Sequence, residues 1–294
     1  MGCPSSFISS APPIHISSAD DRKKIPEIAE FFVDLGLSGK EARRLIKVGD
    51  FVVMDEPLIE VGNKIVSKAL DNRVACWLGI EAVKKIAKSK TGHAAEIHVA
   101  FTTQEEVGLR GAKTASYAIQ PDIGLGIDVT LACDTPGVPA QESVTVHGEG
   151  FGLHVKDSSF IADNKLVSEV ETVAKKNRIP CQRTILARGG QDGAAAQQAA
   201  AGARAIGITV GTRYIHTVTE MIDRRDLAAA RDFPPLTSAP SWQLLIPEPS
   251  TLLAFNTDKI QMQPVEGETL SIADAQWSDN LPLLFQEKVM QSFE

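Results

Sequence analysis

Two adjacent acids at the end of an apolar run are the first residues in this chain that could do chemistry. Ile97-His98-Val99-Ala100-Phe101-Thr102-Thr103-Gln104 runs into Glu105 and Glu106, and Val107-Gly108-Leu109-Arg110-Gly111 turns from there into a helix. Side chains alternate along an extended chain, so neighbouring carboxylates point in different directions and cannot share one role. One can grip a cation while the other faces a reacting water; a solvated acidic turn is the plain alternative. Asp71, in Lys68-Ala69-Leu70-Asp71-Asn72-Arg73, stands just before the apolar Val74, Trp77, Leu78 and Ile80. Taken alone it reads as a helix-capping aspartate, worth about 1 kcal/mol. Asp128 interrupts the run Gly126-Ile127-Asp128-Val129-Thr130, where a buried carboxylate is costly unless paired or metal-bound. His216, in Arg213-Tyr214-Ile215-His216, follows the last strong strand pattern. Three or four carboxylates with one imidazole are the ligand set of a hydrolytic zinc, cobalt or manganese site, not of a thiolate structural site.

These residues need a scaffold that brings them to one rim. From residue 69 to 230 the patterning alternates: helix 72–88, strand 96–103, helix 111–119, strand 123–129, strand or hairpin 144–155, helix 164–177, strand 183–186, helix 192–201, strand 205–210. That alternation predicts an α/β fold with a partly parallel sheet and helices on both faces. In such sheets, ligands gather beyond the C-terminal ends of the strands, where Glu105, Glu106, Asp128 and His216 fall. Earlier residues predict helices at 22–32 and 38–46 and short strands at 49–54 and 58–61. Three regions follow: 1–65, 66–233 and a tail, 234–294. The tail has eight acidic and two basic residues and seven of the 16 prolines, with one of the 22 glycines. It reads as an appended or loosely ordered segment.

Composition narrows the function classes. With 43% hydrophobic and 23% charged residues, the chain has an ordinary globular make-up. No apolar run approaches the roughly 18 residues of a spanning helix, so no membrane partner is expected. Thirty basic against 37 acidic residues give −7, with no basic block to neutralise phosphates, so no nucleic-acid partner is expected either. Cys3, Cys76, Cys133 and Cys181 are scattered without a CxxC pair, and a reducing cytoplasm is the expected location.

The four ordered motifs around Asp71, Glu105-Glu106, Asp128 and His216 together resemble the tetrahedral, or glutamyl (deblocking), aminopeptidases, two-metal peptidases often labelled cellulase or endoglucanase. The resemblance runs from about residue 11 to 226. It implies an incomplete metallopeptidase-type α/β sheet, with residues 1–65 as the remnant of a small β-rich inserted domain used for dimerisation. It implies that Asp71 bridges two divalent ions, that Glu106 and His216 complete one site, that Asp128 ligates the other ion, and that Glu105 is the general base. It further implies zinc, cobalt or manganese as cofactor, two per subunit in the family, peptide substrates, and homo-oligomers from dimers to dodecamers. Gly189-Gly190-Gln191-Asp192 resembles a loop near the substrate, with Gln191 where Thr is usual. The family's His-x-Asp motif occurs nowhere in the chain, so the chain reads as N-terminally truncated, holding at most one tightly bound metal and having impaired activity. A non-catalytic relic or assembly subunit is the second reading. A glycoside hydrolase is the third, disfavoured because its two carboxylates must flank a sugar about 5–10 Å apart.

Overall fold

The computed structural model describes residues 7–9, 15–53, 56–89, 95–232, 259–265 and 268–276. The chain divides into two compact units at Asp55 and Glu56. In the first, β1 (Phe7–Ser9) pairs antiparallel with β2 (Phe32–Asp34). Helix α1 (Gly39–Leu45) opens on a capping box: Ser38 Oγ accepts from the Glu41 N–H, and the Glu41 carboxylate accepts from the Ser38 N–H. The helix expected over 22–32 is instead two 3-10 turns, Asp21–Lys23 and Ile28–Glu30. Pro26 explains the break, because it lacks an N–H and disfavours helical backbone at Ile25. Residues 49–53 form no strand. A turn precedes them, closed by the Asp50 N–H on the Lys47 carbonyl with Gly49 at φ +103°.

The second unit contains β3 (Ile59–Val61), β4 (Lys64–Ser67), α2 (Leu70–Lys88), α3 (Arg110–Ile119), β5 (Ile123–Leu131), β6 (Phe151–Lys156), α4 (Asn164–Asn177), β7 (Cys181–Ile185), α5 (Gly193–Gln198), β8 (Arg204–Arg213), β9 (Glu220–Asp223) and α6 (Arg224–Asp232). Seven strands form one mixed sheet in the order β3-β4-β9-β8-β6-β7, with β5 also on β8. Strand β8 is its spine. It pairs in parallel with β5 from Ile123↔Arg204 to Leu131↔Thr212, antiparallel with β6 at residues 207–209, and antiparallel with β9 at 212–213. Strands β3 and β4 join through β9, so the sheet runs across residue 65, where the first region was expected to end. Leu70, Val74 and Leu78 of α2 pack with Val129, Val210 and Ile222, while Leu166, Val167 and Val170 of α4 and Ala194 of α5 pack with Phe151, Leu153 and Ile206. No helix among the described residues is long and apolar enough to cross a membrane.

Two further expectations change. The segment 96–103 is not a strand. Among the described strands β5 pairs only with β8, so its far edge offers no ladder to this segment, and β-propensity alone does not make a strand. Between them lies a cavity of about 640 Å³ lined by Leu78, Val99, Phe101, Leu125 and Ile127. In the tail, β10 (Lys259–Val265) and β11 (Glu268–Gln276) form an antiparallel pair, with a register shift between Met262 and Val265. Pro264 sits at that irregularity, a position a strand proline tolerates. The rest of the tail lies outside the described residues.

Buried ion pairs fix β4, β8 and β9 to the loop before β6. Lys64 Nζ donates to Asp223 at 2.6 Å and approaches His147 Nδ1 at 3.1 Å. The His147 Nε2–H therefore donates to the Gly211 carbonyl at 3.0 Å, which is the neutral tautomer. Arg213 grips Asp134 with two bonds of 2.6 and 2.8 Å. Asp226 on α6, 1% exposed, accepts from the Gly148 and Gly150 N–H groups. Burial, then the Lys64 and Arg213 charges, push His147 down to about 4. The unfolded chain protonates this residue near pH 6.5 and the folded chain does not, so stability present above pH 6.5 is lost as pH falls toward 4. His147 contributes a loss on the order of 2–3 kcal/mol across that window, set against the gain from carboxyls raised in the fold, so the difference between the parent and a His147 variant reads it in denaturant unfolding. His147→Gln should remove that loss; an unchanged slope would place the acid sensitivity elsewhere.

Candidate metal centre

Three elements end beside one another. At the start of α2 the backbone is not helical at Asp71 and Asn72. Asn72, not Asp71, caps the helix: its Oδ1 accepts from the Ala75 N–H at 3.0 Å. The capping reading of Asp71 is thereby excluded, and its carboxylate is left for other partners. Glu105 and Glu106 lie in the turn before α3, which packs closely on the preceding chain. A Cβ on Gly111 would come within 2.5 Å of the Thr103 backbone nitrogen, and the Gly111 N–H donates to the Thr103 carbonyl. Only glycine permits this approach. His216 occupies the bend between β8 and β9 at φ +63°, a left-handed conformation uncommon outside glycine and often held at functional sites.

The structure brings Asp71, Glu106 and His216 together, with one ligand atom of each within 4.8 Å of the others. His216 Nε2 is 3.1 Å from Asp71 Oδ2 and 3.6 Å from Glu106 Oε1. Burial, Glu106 and Glu220 push Asp71 up to about 6. Glu105 is outside the three-donor group and half-buried; burial, then Asp192, Glu106 and Asp71, raise it to about 7. Asp128 also stands outside the group. Its Oδ1 accepts from Asn72 Nδ2 and the Val129 N–H, both at 2.7 Å, and burial and Asp71 hold it well above the usual carboxylate range. Two carboxylates and an imidazole, converging under like-charge repulsion, fit a hard or borderline divalent cation, which supplies the missing positive charge.

Sequence patterns leave two acids of this site without a role. Asp192 opens α5; Thr102 Oγ1 donates to its Oδ2, while its Oδ1 is buried without a hydrogen-bond partner among the described residues. Glu220, 2% exposed, accepts from the Asp71 N–H at 2.9 Å and the His216 N–H at 2.8 Å. An acid heading the short apolar strand Glu220-Met221-Ile222 was the available signal. Gln191 lies inside the fold. It is 2% exposed, its Oε1 accepts from the Gly193 N–H, and a Cβ on Gly126 would collide with it at 1.4 Å.

Known proteins resemble this chain in sequence and fold. Residues 4–233 match the family described as M42 glutamyl aminopeptidase. The lysyl aminopeptidase of Pyrococcus furiosus is 32% identical over 201 residues, covering 66% of this chain and 55% of that protein. A TET aminopeptidase structure from a marine-sediment Thaumarchaeota archaeon superposes with a TM-score of 0.71 at 34% identity, over 78% of this chain and 64% of that one. The TET1 peptidase of Pyrococcus horikoshii, described as assembling into a tetrahedron or a large octahedral shell, gives 0.63 at 28% identity, over 76% and 64%. The chain spans between 55% and 62% of the length of the curated relatives it matches. On the extent of these matches, the chain belongs to the M42 glutamyl aminopeptidase family.

Proposed function

We propose that this chain carries the catalytic residues of a metal-dependent aminopeptidase that removes N-terminal residues from peptides. The observation that carries the reading is the convergence of Asp71, Glu106 and His216 within 4.8 Å, beside a Glu105 raised to about 7. A zinc, cobalt or manganese ion held by those three residues would acidify a water and polarise the peptide carbonyl. Glu105 is the general base: beside the three donors but outside their group, it takes a proton from the attacking water and returns it to the leaving amine nitrogen. Asp128 and Asp71 offer a second, weaker position with no imidazole, so one cation per chain is held tightly. Free Cys76, Cys133 and Cys181 support a reducing, cytoplasmic setting. The shell-forming TET1 relative supports a homo-oligomer.

One sequence feature favours a second reading, a non-catalytic assembly subunit of the same fold: no His-x-Asp motif is present. Metal content and hydrolysis of an amino-acid anilide, with and without chelator, separate the two. Chelator-sensitive turnover supports the enzyme; bound metal without turnover supports the subunit.

If the chain turns over, Glu105→Gln should lower the rate by about 10²- to 10⁴-fold while metal content stays constant. Parallel loss of metal would make Glu105 a ligand instead. Cation binding should also release protons. Asp71 near 6 and Glu105 near 7 hold protons that a cation displaces, so affinity rises with pH from about 5.5 to 7.5 and then levels. Calorimetry in two buffers of different ionisation enthalpy reads the release directly. Uptake of protons, or none, would contradict the cluster's electrostatics.

A further inference from the structure

Asp71 and His216 reach the centre from opposite ends of the unit's sequence, and both are anchored by the same buried side chain. Glu220, at the start of β9, directs its two carboxylate oxygens to two different backbone groups: Oε2 to the Asp71 N–H at 2.9 Å and Oε1 to the His216 N–H at 2.8 Å. Asp71 lies where α2 departs from helical geometry, and His216 is at φ +63°. Neither segment is held there by a regular helix or strand ladder. Both N–H groups point at one residue that is 2% exposed.

We propose that Glu220 is a positioning residue that fixes the spacing between Asp71 and His216 and so sets the affinity of the centre for its cation. The proposal rests on the metal reading of that centre. A carboxylate suits the task because it offers two acceptor oxygens and no donor, and charge-assisted bonds to N–H groups are the short, strong ones. An amide of the same shape has one acceptor and one donor, so it can satisfy one of the two N–H groups and must repel the other. Glu220 is not itself among the grouped ligand donors. It acts on the cation through the two residues that are.

The test uses the full chain and Co²⁺, whose visible absorption reports ligand geometry. Glu220→Gln should weaken Co²⁺ binding about 10- to 100-fold, as loss of a ligand-orienting partner does, and should alter the absorption bands of the bound ion. Asp226→Asn is the control. Asp226 is equally buried at 1% and also accepts from two backbone N–H groups, Gly148 and Gly150, but holds no ligand. It should lower thermal stability while leaving the parent affinity and spectrum intact. If Glu220→Gln does not fold, Glu220→Asp keeps the charge, is one methylene too short to reach both N–H groups, and should show the same loss. Parent affinity and spectrum in the folded Glu220 variant overturn the proposal, as does an equal loss in Asp226→Asn, which would mean a general stability effect. A parent chain that binds no Co²⁺ overturns the metal reading and this inference with it. Tight parent binding with an unaffected Glu220 variant overturns this inference alone.

Discussion

Carboxyl groups repel when crowded, and this structure crowds several of them where few positive side chains can answer. Asp71 is pushed up to about 6 and Glu105 to about 7 by burial and by each other's neighbours, while Asp128 rises well above its usual range. A fold gains nothing from such a cluster unless something else supplies the compensating charge. The local architecture can be understood as what is needed to hold these acids together against that repulsion. Asn72 takes over the helix cap and ties down Asp128, Gly111 lets the glutamate turn sit against Thr103, and Glu220 secures two backbone segments at once.

The sheet supplies the rigidity for this. Strand β8 pairs with β5, β6 and β9, so the bend that carries His216 leaves from the best-supported strand in the unit. Beneath that bend, Lys64, Asp223, His147, Arg213 and Asp134 form a charged layer in which nearly every group has its partner. The contrast between the two layers is informative. Below, paired charges depress Asp134 to about 2, the pattern of a structural network. Above, Asp71, Glu105 and Asp128 are raised by burial and by neighbouring acids, the pattern common at functional sites.

Much of this was legible from residue types. The α/β alternation placed Glu105, Glu106, Asp128 and His216 at one rim, while the part of Asp71 and the division of roles between Glu105 and Glu106 came from the resemblance to the aminopeptidases. What escaped was set by tertiary context. Asp71 looked like a cap because the neighbouring Asn72 could not be seen to take that role. Glu220 and Asp192 act through contacts with residues far away in the chain, which no local pattern encodes. The expected helix at 22–32 failed at Pro26, a local signal outweighed in reading by the apolar spacing around it. The expected strand at 96–103 has strand-forming residues but no ladder from β5, and pairing is decided by neighbours rather than by propensity. The hairpin in the tail was hidden by prolines, although Ile260 and Met262 alternate with polar residues.

Asp71, Glu106 and His216 are proposed to hold a cation. Crystals of the full chain grown with zinc, with anomalous diffraction recorded across the zinc edge, test this most directly. A strong peak is expected about 2.0–2.2 Å from atoms of Asp71, Glu106 and His216. A zinc ion bound elsewhere while this position stays without a peak would contradict it.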